Sequence, residues 1–286
     1  MPTTRPDAPG DQQAARTVAV AGAGTMGSGI ATMLLVAGHA VRLFDTSDAA
    51  LAAARERAHK RAAEAVAAGR LTTTTDLATA VTGADFVIEA VPELLDLKRR
   101  LFGELDDLAP PHAVLASNTS ELSITAIAGA TKRPDRVIGM HWFNPPERMT
   151  LVEVVRAVQT SDETVATTLA LAAGCGKETV TVKDGPGFVT TRALAALLLE
   201  AMRMLEEGVA TAEDIDRAVK LGLNHPMGPL ELADYVGLDT MLLIAESLQG
   251  ALGERFLATP RLRKLVEAGR LGRKTGRGFY DYPGRG

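Results

Sequence analysis

The sequence predicts two regions of different fold class, an α/β region with a mostly parallel sheet followed by an all-α region. In the first region short apolar runs alternate with helical segments, as in sheets whose parallel strands are connected by helices. From Phe188 onward the pattern is helical throughout. The pattern changes at Gly185-Pro186-Gly187, so we place one domain over 16–186 and a second over 187–286. The polar residues 1–15 are expected to form a disordered tail.

The elements of the first region follow from hydrophobic periodicity and from residues that start or stop helices. Thr17-Val18-Ala19-Val20-Ala21 is a short apolar run followed by glycine, which indicates a buried strand. In chain order we expect a strand over 17–21, a turn over 22–27, a helix over 28–37, a strand over 40–44, a helix from 48 to about 68, a strand over 85–91, a helix over 94–108, a strand over 113–116, a helix over 124–128, and strands over 137–140 and 151–155. The helical region is expected to break at Gly208, between 222 and 229, at Gly237 and at Gly253.

Composition and charge exclude several classes of protein. The 286 residues are 46% hydrophobic and 23% charged, which is typical of folded globular domains and not of disordered or fibrous chains. The formal net charge of −4 argues against a protein that coats nucleic acid or an anionic membrane. The longest apolar stretch, 193–202, is interrupted by Glu200 and is too short to cross a bilayer. The single cysteine, Cys175, excludes an internal disulfide and has no metal-ligand pattern around it, so we expect a cytoplasmic protein without a metal site.

A glycine-rich turn after the first strand predicts a dinucleotide site. Gly22-Ala23-Gly24-Thr25-Met26-Gly27 has the spacing G-x-G-x-x-G and opens a helix, so its backbone can approach a pyrophosphate at the helix N-terminus. Asp45 ends the next strand eighteen residues after Gly27, where a carboxylate accepts hydrogen bonds from the adenosine ribose and repels a 2′-phosphate. The pattern therefore predicts NAD in preference to NADP, bound by Gly22, Gly24, Thr25, Met26, Gly27 and Asp45. The alternative is a glycine turn and a strand-end acid in a fold that binds nothing.

Histidine is the usual proton-transfer group at neutral pH, and the chain has five. His39 follows a helix-ending glycine, His59 lies in a charged helix and His112 follows two prolines, so we expect all three at the surface. His225 lies in an expected turn between helices and is interpreted as structural. His141 differs, because it follows a strand at the edge of the sheet where α/β folds place their ligands.

Glu153 is a candidate partner for His141. It lies twelve residues further on, inside the apolar run Leu151-Val152-Glu153-Val154-Val155. An acid in such a strand needs a partner, and a histidine would satisfy it while the carboxylate orients the imidazole. The residues alone leave this pairing open.

Several motifs of the sequence together resemble those of one family. The chain resembles the L-3-hydroxyacyl-CoA dehydrogenase family, most of all its short bacterial 3-hydroxybutyryl-CoA dehydrogenases. The matching stretches are GAGTMG at 22–27, IEAVPE at 88–93, SNTS at 117–120, GMHWFNPP at 139–146, LVEVV at 151–155, PGFV at 186–189, PMGPLEL at 226–232 and GRKTGRGFY at 272–280. The resemblance covers about residues 16 to 282 in order. It implies a Rossmann-type NAD-binding N-terminal domain and a helical C-terminal domain for substrate binding and dimerisation.

The resemblance also implies an activity and roles for individual residues. The reaction is the reversible NAD-dependent oxidation of a 3-hydroxyacyl thioester to the 3-ketoacyl form. His141 corresponds to the catalytic base, Glu153 to its orienting partner, and Ser120 to the serine that contacts the substrate hydroxyl and the cofactor. Further contacts with NAD are implied for Asp45, Glu93, Lys98, Asn144 and Lys274. Without the resemblance, Glu93 and Lys98 would be interpreted as an i, i+5 pair at the start of a surface helix.

Two departures from the family pattern affect the substrate site. Thr191 stands where the family has the asparagine of Gly-Phe-x-Val-Asn-Arg, which hydrogen-bonds the substrate. A threonine hydroxyl is shorter and lacks the amide geometry. Between Asp45 and Asp85 one helix of about twenty residues fits, whereas the family carries a longer helical arm that contacts coenzyme A. These departures leave open a relative that acts on a hydroxyacyl group on acyl carrier protein or on a free hydroxy acid, and a non-catalytic NAD-binding relative.

Two surface features complete the expectations. The helix from 48 is basic although the protein is acidic, so its cations either form a solvated face or hold the phosphates of coenzyme A or an acidic carrier protein. These cations are Arg55, Arg57, Lys60, Arg61 and Arg70. The first C-terminal helix is apolar over a wide arc, which favours an isologous homodimer. Its apolar residues include Leu194, Leu197, Leu198, Leu199, Met202 and Leu205.

Overall fold

The computed structural model describes residues 15–283, and the tail predicted over 1–15 falls almost entirely outside the described residues. The chain divides into two compact units. The first unit contains the chain up to Thr119 together with Ser123–Asp184. The second contains Ser120–Leu122 and the chain from Gly185.

The first unit is built on one eight-stranded sheet, and its elements alternate as the sequence predicts. The strand order is β3-β2-β1-β4-β5-β6-β7-β8. All neighbouring strands are parallel except β6 and β7, which are antiparallel, so the predicted mostly parallel sheet is confirmed. The elements are β1 (Thr17–Ala21), α1 (Thr25–Val36), β2 (Ala40–Phe44), α2 (Asp48–Arg61), α3 (Ala63–Ala67), β3 (Leu71–Thr74), α4 (Leu77–Val81), β4 (Phe86–Glu89), α5 (Leu95–Leu108), β5 (Val114–Ser117), α6 (Ile124–Ala128), β6 (Val137–Trp142), β7 (Leu151–Arg156), α7 (Asp162–Gly174) and β8 (Glu178–Lys183).

The sequence prediction missed the strands β3 and β8 and the helices α4 and α7, and it placed one helix where the structure has two. The predicted single helix from 48 to about 68 is wrong, because the backbone at Ala62 (φ −136°, ψ 39°) leaves the helical region and separates α2 from α3. The threonine-rich segment 72–75 was not expected to pair, yet it supplies most of β3. Like β8, which was also missed, β3 lies at an edge of the sheet, and three of its four residues are at least partly accessible to water. Edge strands need no continuous apolar run, so hydrophobic patterning does not reveal them.

The core of the first unit lies on the inner strands and under α1. Val18, Val20, Ile88 and Ile138 have no exposed surface, which fits strands covered on both faces. Helix α1 turns Ile30 and Leu34 onto the sheet. The sheet therefore presents its carboxyl edge, where β1, β4, β5 and β6 end, as a rigid platform for side chains.

The second unit is helical, as predicted. Its elements are α8 (Thr190–Glu206), α9 (Ala212–Gly222), α10 (Pro229–Val236), α11 (Leu238–Leu252) and α12 (Pro260–Glu267). The predicted breaks at Gly208, Gly237 and Gly253 lie between these helices, and each of the three glycines has positive φ. Among the described residues, 15–283, no helix has the length and apolar content needed to cross a membrane.

A buried carboxylate fixes the C-terminal segment of the second unit. Asp234 on α10 accepts hydrogen bonds from the N–H groups of Phe279 and Tyr280, both at 2.9 Å, and from the hydroxyl of Tyr282 at 3.1 Å. A Cβ on Gly278 would lie 2.0 Å from the same carboxylate. The glycine pattern of the motif at 272–280 therefore serves close packing against Asp234.

Candidate active site

The glycine turn has the geometry that a phosphate-binding turn requires. Gly22 has φ +107°, and a Cβ there would lie 2.7 Å from the carbonyl oxygen of Ala90. A Cβ on Gly27 would lie 1.8 Å from the carbonyl oxygen of Gly22. A Cβ on Gly24 would meet nothing within 4 Å, so this residue faces open space. Helix α1 begins directly after it, at Thr25 and not at residue 28 as predicted, and has no side-chain cap at its N-terminus. Its first N–H groups are thus suited to an anion.

Asp45 is tied to this turn. Its Oδ2 accepts a hydrogen bond of 2.7 Å from the N–H of Ala23, and its Oδ1 accepts one of 2.9 Å from the N–H of Ser47. The turn and the strand end are also joined through the N–H of Gly22, which donates to the carbonyl of Phe44 at 2.8 Å. Asp45 is half-buried, so its carboxylate is held in place while staying within reach of a ligand.

The structure brings His141 and Glu153 together. Strands β6 and β7 are antiparallel with His141 opposite Glu153, and Nδ1 of the imidazole lies 2.8 Å from Oε2 of the carboxylate. Glu153 has no exposed surface and His141 only 7%. Strand β6 continues through Trp142, so His141 lies within the strand. The sequence predicted it directly after the strand. A carboxylate at Nδ1 selects the imidazole tautomer whose basic lone pair is on Nε2.

A buried charge network lies at the ends of β4 and β5. Glu89 accepts from Nζ of Lys98 at 2.5 Å, from Oγ of Ser117 at 2.6 Å and from the N–H of Val91 at 2.7 Å. Burial raises the pKa of Glu89, and the Lys98 ammonium opposes this rise. Nζ of Lys98 also lies 3.2 Å from Oε2 of Glu93. Glu93 and Lys98 do form a pair, but its predicted location at the surface is wrong for Lys98, which is 1% exposed because its ammonium reaches inward to Glu89.

Family models match both regions of the chain. The model for the 3-hydroxyacyl-CoA dehydrogenase NAD binding domain matches residues 17–185, and the model for the C-terminal domain of the same enzymes matches residues 187–282. The chain belongs to the 3-hydroxyacyl-CoA dehydrogenase family. The predicted resemblance and the predicted NAD cofactor are thereby confirmed, and the protein is an NAD-dependent oxidoreductase of this family.

Individual relatives agree with this assignment. The chain is 45% identical over 284 residues to 3-hydroxybutyryl-CoA dehydrogenase of Mycobacterium tuberculosis, with 94% of this chain and 99% of the relative covered. It is 43% identical over 284 residues to the human mitochondrial hydroxyacyl-coenzyme A dehydrogenase, covering 93% and 90%. Among solved structures, (S)-3-hydroxybutyryl-CoA dehydrogenase PaaH1 from Ralstonia eutropha superposes with a TM-score of 0.88 at 44% identity, covering 94% and 99%.

Four further predicted site residues lie elsewhere in the structure. Asn144 is exposed in the loop after β6. Ser120 belongs to the short segment grouped with the second unit, and Thr191 is 8% exposed in the first turn of α8. Nζ of Lys274 donates to both carboxylate oxygens of Asp239, at 2.6 and 2.7 Å. The roles of these four residues stay predictions.

The cations of α2 do not form one open patch. Arg57 is bound to the carboxylate of Glu147, and Nη2 of Arg55 donates to the hydroxyl of Thr73 at 2.8 Å. Lys60 and Arg61, in the last turn, are exposed. The patch predicted from composition is therefore reduced, because Arg57 is bound to Glu147 and Arg70 lies between α3 and β3, whereas Arg55 stays exposed.

Sequence reasoning missed two residues of the charge network, Glu89 and Ser117. Glu89 carried a signal, since it is an acid in an apolar strand, as Glu153 is. Ser117 lies opposite Glu89 in the register of β5 on β4, which only the sheet reveals. Within residues 15–283, no group of three or more histidine, cysteine, aspartate or glutamate side chains could hold a metal ion.

Proposed function

We propose that the protein catalyses the reversible NAD-dependent oxidation of a short-chain 3-hydroxyacyl-CoA, of the 3-hydroxybutyryl-CoA type, to the 3-ketoacyl-CoA. The contact between His141 and Glu153 carries the proposal, because it supplies an oriented base at the same edge of the sheet as the glycine turn. Membership of the family and the names of the relatives support the substrate class.

His141 acts as the general base in this mechanism. Its Nε2 takes the proton of the substrate hydroxyl while the hydrogen on C3 leaves as hydride. NAD bound at the glycine turn supplies the hydride acceptor. The imidazolium that forms is stabilised by Glu153, whose buried carboxylate lies 2.8 Å from Nδ1. In the reduction direction His141 returns the proton to the carbonyl oxygen.

The remaining site residues bind and orient. Asp45 accepts from the adenosine ribose, Ser120 contacts the substrate hydroxyl, and Thr191 replaces the family's asparagine as a shorter substrate donor. Glu93, Asn144 and Lys274 contact the cofactor. Because its ammonium is buried on Glu89, Lys98 acts on the cofactor through Glu93 and not by a contact of its own. The protein works as a cytoplasmic homodimer through the domain at 187–286.

A comparison of carriers tests this function. The wild-type protein is incubated with NAD or NADP and 3-hydroxybutyrate carried on coenzyme A or on acyl carrier protein, and the formation of NADH or NADPH is followed. We expect turnover with coenzyme A and a wide preference for NAD. Exposed Lys60 and Arg61 suit an anionic carrier of either kind, so a higher kcat/KM on carrier protein would favour that second candidate. No turnover on any thioester would contradict the proposal.

A further inference from the structure

The loop between β6 and β7 connects the two residues of the His141–Glu153 pair, and it also carries Asn144. Two attachments outside the sheet hold this loop. One runs to helices α1 and α2 through Glu147, and the other runs to the buried Lys177, directly before β8. Both lie within the first unit.

Arg57 makes the first attachment. Its Nε donates to Oε1 of Glu147 at 2.9 Å and its Nη2 donates to Oε2 at 3.0 Å, so the contact is bidentate. The third nitrogen, Nη1, donates to the carbonyl oxygen of Thr25 and to Oγ of Ser28, both at 3.1 Å. One guanidinium thus joins the loop after β6 to the first turn of α1, directly after the glycine turn.

The packing beneath this ion pair is equally close. A Cβ on Gly29 of α1 would lie 2.9 Å from Cγ of Pro146 and 3.2 Å from Nη2 of Arg57. Gly29 therefore lets α1 approach the loop, and a larger side chain would separate them. The side chain of Glu147 is only 5% exposed and that of Arg57 is 29% exposed, so their contact is partly shielded from water.

Lys177 holds the loop from the other side. Its Nζ donates to the carbonyl oxygens of Pro146 at 2.6 Å and of Met149 at 2.7 Å, and it lies 5.7 Å from the centroid of the Trp142 ring. Lys177 therefore fixes the loop at its base. Of these two residues, only Arg57 connects the loop to helix α1.

We propose that Arg57 is a positioning residue for catalysis, which acts through Glu147 to hold the Asn144 loop at a fixed distance from the phosphate-binding turn of α1. The inference rests on the proposed function, in which Asn144 and the glycine turn both contact the NAD molecule. Holding these two contacts at a constant separation would keep the cofactor in one position relative to His141, on which hydride transfer depends steeply.

The charges of the pair give the two single substitutions different consequences. Burial opposes ionisation of Glu147, but its own backbone N–H and the Arg57 guanidinium keep the pKa of this carboxyl below its usual value. Arg57→Gln leaves a carboxylate beside the turn that binds the pyrophosphate. Glu147→Gln leaves a cation there instead. The first change opposes NAD binding and the second does not, while both loosen the loop.

Four variants test the inference: Arg57→Gln, Glu147→Gln, the double variant and Arg57→Lys. NAD affinity is measured without substrate, and kcat with saturating NAD. We expect Arg57→Gln to weaken NAD binding about tenfold and Glu147→Gln to leave it unchanged or tighter. Each of these two substitutions should lower kcat about tenfold. The double variant should lower kcat by much less than the product of the two single effects. Arg57→Lys keeps the positive charge but cannot make the bidentate contact. Compared with Arg57→Gln, it should restore NAD affinity and only part of kcat.

A matched control removes the exposed ion pair Lys132–Asp107 of the same unit by Lys132→Gln. This variant should leave NAD affinity and kcat unchanged. If Arg57→Gln and Glu147→Gln change NAD affinity equally, or lower only the melting temperature, the inference is wrong, even where 3-hydroxybutyryl-CoA is turned over normally. If the affinities separate as expected and no hydroxyacyl-CoA is turned over, the link between the Asn144 loop and the NAD-binding turn stands, whereas the proposed function and the role of Arg57 in its catalysis both fail.

Discussion

Replacing Lys98 by methionine should destabilise the first unit in a pH-dependent way. The substitution keeps the volume of the side chain but removes the ammonium that lies 2.5 Å from Oε1 of Glu89. Glu89 has no exposed surface, so water cannot take the place of the lost cation. The hydrogen bonds from Ser117 and Val91 remain but carry no compensating charge.

The expected cost follows from this geometry. Removal of one partner of a buried ion pair typically costs about 3–5 kcal/mol, and we expect a loss in this range at pH 8. Without Lys98 the pKa of Glu89 in the folded state rises further above its ordinary value of 4.5. A group whose folded pKa is raised is most stabilising at low pH and loses that contribution as the pH rises toward the folded pKa. The difference between wild type and variant should therefore shrink on acidification, by up to about 1.4 kcal/mol per pH unit.

Denaturant unfolding from pH 5.5 to pH 8, followed by the fluorescence of the only tryptophan, measures this difference. Trp142 lies on β6, so it reports on the first unit. The double variant Lys98→Met/Glu89→Gln is the control, because it removes both charges and should lose the pH dependence. A wild-type free energy of unfolding for Lys98→Met at pH 8, or a loss that does not vary with pH, would refute the reasoning.

Three further predictions concern other parts of the chain. His39 is only 2% exposed, so the prediction that it lies at the surface is wrong. Burial and then the charge of Arg16 lower the pKa of His39 below 6.5, so its contribution to stability is complete above pH 6.5 and is lost as the pH falls through the folded pKa. The free energy of unfolding should therefore fall less between pH 7 and pH 5 for His39→Gln than for wild type, and equal slopes would contradict this. Asp234→Ala leaves the N–H groups of Phe279 and Tyr280 without their acceptor, which should lower the free energy of unfolding by about 3 kcal/mol. The C-terminal segment should then be cleaved faster in limited proteolysis, and an unchanged cleavage rate would exclude this anchoring role. Asp45→Ala should lower kcat/KM with NAD and reduce the ratio of kcat/KM with NAD to kcat/KM with NADP at least tenfold. An unchanged ratio would show that Asp45 does not bind the adenosine ribose.

The sequence was most informative where local patterns and physical constraints coincide. The first strand and the glycine turn could be located because a buried central strand must be apolar and because the turn tolerates only glycine at 22 and 27. His141 and Glu153 could be suggested as partners because an acid in a buried strand requires one. Their actual contact depends on the antiparallel register of β6 and β7, which no periodicity in the sequence specifies.

Contacts between distant segments could not be predicted in this way. Arg57 and Glu147 are 90 residues apart, and on sequence grounds Arg57 was one more cation on a basic helix. Lys98 looked like a surface residue because its helix is amphipathic and it follows an acid by five positions, but α5 turns it toward Glu89. Lys98 is buried on Glu89, and Arg57 is partly covered by its contact with the nearly buried side chain of Glu147, whereas hydrophobic patterning assigns charged residues to the surface.

The central claim is that His141, oriented by Glu153, is the base for hydride transfer, and the turnover of two variants tests it most directly. With 3-hydroxybutyryl-CoA and saturating NAD, His141→Gln should lower kcat about 10³-fold. Glu153→Gln should lower kcat by less, about 10- to 100-fold, since the imidazole remains but its cation is no longer stabilised. NAD affinity should stay within about twofold of wild type in both variants. Activity close to wild type in His141→Gln would contradict the account.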